Sequence, residues 1–422
     1  MPAELLSVLV LVAVFALAMW RPVNMGAVAL VAAFALGTTY FGLDTDDVAK
    51  GFPGSLLVTL VGVTWLFAIA KRNGTVDRIV GRSVQAVGGR VVLVPWVLFL
   101  LAAVITGSGA VSAATNAILA PVGLAFAQRY RIHPMLVGLS ILNGTNAGGF
   151  SPISVYFSIV NGVLVRSGVH VNAGGVFLAT FLFNLVLNLA AFTLFGGWKL
   201  IGRGKAQPAE AEPADAPGAA ARGWTGAQVL TIALLVLLVI GALGFDLDVG
   251  FGALAVAVIL TVIFPRQSKD AAGEIGWSVV LLIGGIVTYV TMLQNVGVVD
   301  SLGGSIAGIS QPLLAALLIL LVGGLVSAFA STNAMFGALV PLAVPFMASG
   351  DIGVFGFVTA LCVAASAVDS SPFSTGGALV VANTEESKRT QTFRSLLAWG
   401  MSMIGVAPLA AWLAFLVIPG LG

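Results

Sequence analysis

Long apolar runs separated by short polar breaks dominate the chain. About 20 mostly apolar residues cross a bilayer as a helix. The runs predict spans near 4–20, 23–42, 52–70, 172–199, 225–244, 247–264, 276–297 and 395–418. Two longer stretches are cut by small polar residues. Thr106-Gly107-Ser108-Gly109 and Ala114-Thr115-Asn116 interrupt 91–129, and Ser331-Thr332-Asn333 interrupts 312–348. Two more, 134–165 and 353–382, carry Ser151-Pro152-Ile153-Ser154 and Ser371-Pro372-Phe373-Ser374, which predict broken helices. In 74–88, Val76, Ile79, Val80, Val84 and Val87 share one helical face with Arg78, Arg82 and Gln85 off it, the pattern of an interfacial helix. A shorter amphipathic piece covers 298–309, and the Ala/Pro/Glu-rich stretch 203–223 reads as a disordered linker.

Charge decides how the interrupted stretches run. If 91–129 and 312–348 are re-entrant hairpins that return to their own sides, 17 of the 19 Lys and Arg fall on one side. Only Lys50 and Arg166 are left outside. The basic side is cytoplasmic, so the first hairpin enters from the cytoplasm and the second from outside. Each half then has five spans and one hairpin, and an odd number of spans inverts the second half. The repeats are 1–202 and 224–422, both termini lie outside, and linker 203–223 is cytoplasmic. Gly74-Thr75-Val76-Asp77-Arg78-Ile79 echoes Gly297-Val298-Val299-Asp300-Ser301-Leu302, and the Thr-Asn and Ser-Pro pairs follow in the same order.

Composition agrees with a membrane class. Hydrophobic residues make up 59% and charged residues 9%, far below the charge of soluble domains. The apolar runs are continuous rather than alternating, which excludes a membrane barrel. The fold class is therefore an all-α polytopic membrane protein. Cys362 is the single cysteine, so no intrachain disulfide or Cys metal cluster is available, and His133 and His170 flank spans. No cofactor, bound transition metal or nucleic-acid partner is expected. Met1–Glu4 lacks a basic segment, so 4–20 reads as a retained span rather than a signal peptide.

Irregular backbone at membrane depth survives only inside protein or against a watery cavity, so the tips and breaks should meet at one central site. Half-helices starting after Asn116, Pro152, Asn333 and Pro372 would aim free N–H groups there, and helix N-termini bind anions. Preceding carbonyls, with Asn and Thr oxygens, suit Na⁺. Gly144, Gly148 and Gly149 allow close backbone approach. Candidate substrate contacts are Thr115, Asn116, Thr145, Asn146, Ser151, Ser154, Thr332, Asn333, Ser371, Ser374 and Thr375. Candidate cation ligands are Thr115, Asn116, Asn143, Gly148, Ser331, Thr332, Asn333, Asp369 and Ser370. The plainer reading is that such residues only help helices pack. Asp369 stands apart as the one Asp, Glu, Lys, Arg or His expected near a bilayer midplane, where a charge is costly. It could ligate Na⁺, carry a coupling proton, or cap the half-helix after Pro372. Its counterpart in the first half is Gly149.

These residues resemble the divalent anion:sodium symporter family and its wider ion-transporter superfamily. The layout is similar over nearly the whole chain, and Trp20–Leu164 resembles the N-terminal region of malonate/dicarboxylate carrier (MatC-type) permeases. That family's tip residues correspond to Thr115, Asn116, Ser331, Thr332 and Asn333. Its break residues correspond to Ser151, Pro152, Ser154, Ser371, Pro372 and Ser374. The order here is Thr-Asn rather than Ser-Asn-Thr, Ala114 stands where Ser is expected, and the second break carries Asp369 and no Pro-Pro-Asn. The resemblance implies a homodimer with an elevator-like movement.

The leading expectation is a carrier of small dicarboxylates in the inner membrane, coupled to Na⁺ or H⁺. The nearest alternative is a sodium/proton antiporter or inorganic-anion exporter on the same fold, with Asp369 carrying the proton. A passive channel would not need duplicated broken helices, and a structural subunit would not need midplane polar groups. No span offers a Ser–His or Asp–Asp pair, so an enzyme is not expected.

Overall fold

The computed structural model describes residues 2–21, 23–76, 78–79, 90–201, 223–245, 247–299, 301, 311–329, 332–348 and 352–420. Among these residues the chain is helical throughout, without a strand. The first half holds α1 (Ala3–Trp20), α2 (Met25–Thr39), α3 (Thr45–Lys50), α4 (Gly54–Arg72), α5 (Val94–Gly107), α6 (Ser112–Arg129), α7 (Pro134–Gly148), α8 (Val155–Arg166) and α9 (Ala173–Leu194). The second holds α10 (Gly226–Gly244), α11 (Val249–Ile263), α12 (Trp277–Asn295), α13 (Pro312–Phe329), α14 (Thr332–Ala348), α15 (Val354–Ala367), α16 (Thr375–Ala382) and α17 (Glu386–Trp412). Among the described residues, five helical segments are long and apolar enough to cross a membrane: Gly54–Arg72, Ala173–Leu194, Trp277–Asn295, Val354–Ala382 and Glu386–Val417.

Several boundaries differ from the sequence reading. The first interruption lies at Ser108–Val111, so Thr115 and Asn116 sit inside α6 rather than ahead of it. Gly109 explains the position: its φ of +107° is open to glycine and closed to other residues. α17 begins at Glu386, well before the apolar run at 395, because a charged helical extension carries it out of that run. The short helix Thr45–Lys50 was not expected. Most of 74–88 and 298–309, the linker 203–222 and Ser331 lie outside the described residues.

Burial orders the bundle. Every residue of α7 from Met135 to Gly148 is buried, as are Gly356–Ala367 of α15. A helix apolar all round belongs at the centre of its bundle. α9 instead shows Leu178, Leu182, Val186 and Leu189 on its outer face, at helical spacing.

Among the helix pairs that join the halves, α2 packs on α12 and α4 packs on α11. Both crossings are set by glycines. A Cβ on Gly26 would lie 2.1 Å from the Leu281 carbonyl oxygen, and one on Gly285 would lie 1.8 Å from the Gly26 carbonyl oxygen. A Cβ on Gly62 would lie 2.7 Å from the Gly250 carbonyl oxygen. Small residues let backbones touch where lipid supplies no hydrophobic drive. The starts of α2 and α11 match as well: Asn24 accepts from the Gly26 and Ala27 amides, and Asp248 from the Phe251 amide. Because the obstacle is backbone, Gly26→Ala should destabilise the protein by about 1–3 kcal/mol. A thermal unfolding midpoint in detergent equal to the parent's would contradict the packing.

Candidate functional site

The two Ser-Pro breaks are built alike. At each, the first Ser amide bonds back to a helix-end carbonyl: Ser151 to Gly148 and Ser371 to Val368, both at 3.0 Å. The second Ser closes the loop onto the first: the Ser154 amide reaches the Ser151 carbonyl at 2.9 Å, and the Ser374 amide the Ser371 carbonyl at 3.1 Å. The Ser154 hydroxyl is shared between the Gly149 and Ser151 carbonyls, and the Ser374 hydroxyl between those of Asp369 and Ser371. Ser374 then caps α16 by accepting from the Gly377 amide at 3.0 Å. Proline cannot donate an amide, so each helix must stop, and the serines satisfy the backbone it leaves.

A cavity of about 510 Å³ opens beside these breaks. Three helix N-termini reach it: α6 through Ser112 and Ala113, α14 through Thr332 and Asn333, and α16 through Thr375 and Gly376. First-turn amides have no helical acceptor and carry partial positive charge. Asn116, Asn146, Ser374, Asp369 and Tyr156 complete the polar lining, and Asp369 is the one charged residue among the described residues there.

Seven of the expected site residues therefore meet: Asn116, Asn146, Thr332, Asn333, Asp369, Ser374 and Thr375. The others stand behind them. Thr106 donates to Thr115 at 2.9 Å. Thr145 donates to Asn116 Oδ1 at 2.8 Å, leaving the Asn116 Nδ2 protons for other acceptors. Ser151 donates to the Gly107 carbonyl at 2.6 Å and so ties the first break to the end of α5. Ser370 donates to the Ala367 carbonyl at 2.6 Å. Gly148 lies against the Ala103 carbonyl, 2.2 Å from where a Cβ would be. Asn143 and Ser371 are buried, and their side chains have no hydrogen-bond partner among the described residues. Asn146 lines the cavity while its amide donates to the Ser366 carbonyl at 2.8 Å, linking the halves.

The expected partners of Asp369 were helix amides, a cation or a proton. The structure gives it two hydroxyls. Tyr156 donates to Oδ2 at 2.8 Å and Thr332 to Oδ1. Thr332 is also within 2.9 Å of the Ser327 hydroxyl. Sequence reading missed Tyr156, since a search for charged residues in spans passes over a phenol. Its place four residues after Pro152, on the first turn past a break, was the available signal. The ring sits where the first break has Gly149, and a Cβ there would come within 2.7 Å of it. Phe150 and Phe336 hold the ring edge-on or tilted, with centroids 5.7 and 5.6 Å away. The two halves thus put a carboxylate in one break and a tyrosine's space in the other.

Asn333 differs from Asn116. Its Oδ1 is buried and has no donor among the described residues. The cavity is therefore lined by donors at Asn116 and the start of α16, by the Asp369 carboxylate, and by Asn333, whose Oδ1 is itself closed off from solvent.

Residues 1–149 match the family model of the dicarboxylate carrier protein MatC N-terminus. That stretch is similar to the N-terminal part of such carriers. The match runs from α1 to the first break and includes Asn116 and Asn146, whereas Tyr156 and Asp369 lie beyond it. It bears out the MatC-type resemblance, and with the five long apolar helices it makes the chain a multi-pass membrane protein. No curated protein matches the chain.

Proposed function

We propose that this MatC-type chain is a secondary carrier of small dicarboxylates, coupled to Na⁺ and working by alternating access. The observation that carries this reading is the division of the cavity. Helix N-termini and the Asn116 amide suit carboxylate oxygens, while Asp369, Thr332 and the unbonded Asn333 Oδ1 suit a hard cation.

The reading includes two inverted repeats, with α5–α6 and α13–α14 as re-entrant hairpins. Four correspondences support it: the matched glycine crossings, the matched caps at Asn24 and Asp248, the matched Ser-Pro breaks, and the exchanged contacts of α8 with α14 and of α16 with α6. Paired irregular segments at repeat interfaces are where carriers place substrate and ion.

Purified protein in liposomes tests the function. Malonate or succinate uptake should rise several-fold with an inward sodium gradient. Uptake driven equally by a proton gradient without sodium would move the coupling to H⁺. Sodium–proton exchange with no dicarboxylate uptake would replace the proposal with an antiporter.

A further inference from the structure

A second cavity, of about 790 Å³, lies away from the central one. Three segments distant in sequence enclose it: the stretch from Arg131 to Leu136, the end of α9 with the turn after it from Leu194 to Leu200, and the start of α17. Arg131, Lys199 and Lys388 line it with His133, and Glu385 is the one acid among its described lining residues. Lys388 pairs with Glu385 at 3.4 Å, and Lys199 lies 5.3 Å from the Trp198 ring centre. His133 uses Nδ1 to accept the Met135 amide at 3.2 Å, so the neutral ring carries its proton on Nε2. Burial, and then the facing Lys388 ammonium, hold its pKa below the usual histidine value. The pocket is thus a concentration of positive charge and donors.

Its rim is apolar and exposed. Leu194 is 71%, Trp198 58% and Ile201 68% exposed. The same outer face continues up α9 through Leu189, Val186, Leu182 and Leu178. A further groove lined by Leu178, Leu182, Val186, Phe355 and Phe415 lies along that stripe. From Leu178 to Leu194 the helix rises roughly 24 Å at its standard pitch, about the reach of an extended acyl chain.

We propose that this pocket binds the headgroup of an anionic phospholipid, with an acyl chain lying along the outer face of α9. A soluble anion would use the basic cluster but not the apolar stripe that leads to it. A neutral lipid would use the stripe but not the cluster. Basic pockets at helix ends on the cytoplasmic side are suited to such headgroups, and the basic-residue distribution places the end of α9 on that side.

Detergent-purified full-length protein should retain phosphatidylglycerol in native mass spectra far better than phosphatidylcholine. Each cation near a headgroup region contributes enough that Lys199→Gln with Lys388→Gln should weaken retention roughly thirtyfold. Leu182→Asn with Val186→Asn should weaken it while leaving the basic cluster intact. Glycerol phosphate, the headgroup without chains, should bind weakly. Equal binding of glycerol phosphate would reassign the pocket to a soluble phosphate ester and overturn the lipid assignment. Equal lipid retention by the lysine variant would overturn the site itself. An unchanged far-ultraviolet circular dichroism spectrum shows that the variants are folded, so either result counts.

Discussion

Asp369→Asn should raise the sodium concentration for half-maximal uptake roughly tenfold to a hundredfold, the span of a hydrogen-bonded charge at about 1.5–3 kcal/mol. The carboxylate is held by the Tyr156 and Thr332 hydroxyls, both of which donate to it. Asn keeps one acceptor oxygen and adds an N–H pair facing two donors, so one hydroxyl must turn away. The charge that balances a cation is gone as well. Tyr156→Phe, which leaves the charge and removes one donor, should shift the sodium requirement less. A role as a simple cap predicts something else, because Asn caps about as well as Asp. Unchanged sodium dependence in Asp369→Asn would exclude the cation role. Loss of proton-driven accumulation with exchange intact would make the group a proton carrier.

Asn116→Ala should reduce dicarboxylate uptake by roughly tenfold to a hundredfold through a raised half-saturation for substrate, because it deletes a donor to a charged ligand. The fold should survive, since Thr145 keeps its other bond, to the Ile141 carbonyl at 2.7 Å. Asn333→Ala should act on the other variable. Its Oδ1 has no donor among the described residues, so sodium dependence should move more than substrate affinity. Radiolabelled uptake at varied substrate and varied sodium separates the two. Identical changes in both variants would mean that the asparagines share one role, and wild-type uptake by both would reduce them to packing residues.

The interrupted apolar runs made the Ser-Pro helix breaks legible, because Pro acts on the backbone wherever it stands. Which side chains reach the cavity was less legible. Thr115 and Asn116 are neighbours, yet one turns to Thr106 and the other to the cavity, a difference of helical phase set by where α6 begins. The start was misplaced because Ser108–Val111 and Ala114–Asn116 are equally plausible polar cuts by composition. The Tyr156–Asp369 bond spans 213 residues, and nothing local to either residue announces it. The basic pocket is assembled from three separate segments, each of which reads alone as an ordinary helix end.

The solitary Asp369 carboxylate also has an electrical meaning. With no Lys, Arg or His among the cavity's described lining residues, the unloaded site carries one fixed negative charge whenever Asp369 is ionised. In the proposed cycle that charge crosses part of the membrane field each time the empty carrier resets. A unit charge crossing the whole field gains or loses about 2.3 kcal/mol per 100 mV. An interior-negative potential would therefore hasten the return of the empty site to the outside face. Current recorded from the protein should then contain a transient that needs no substrate and vanishes in Asp369→Asn.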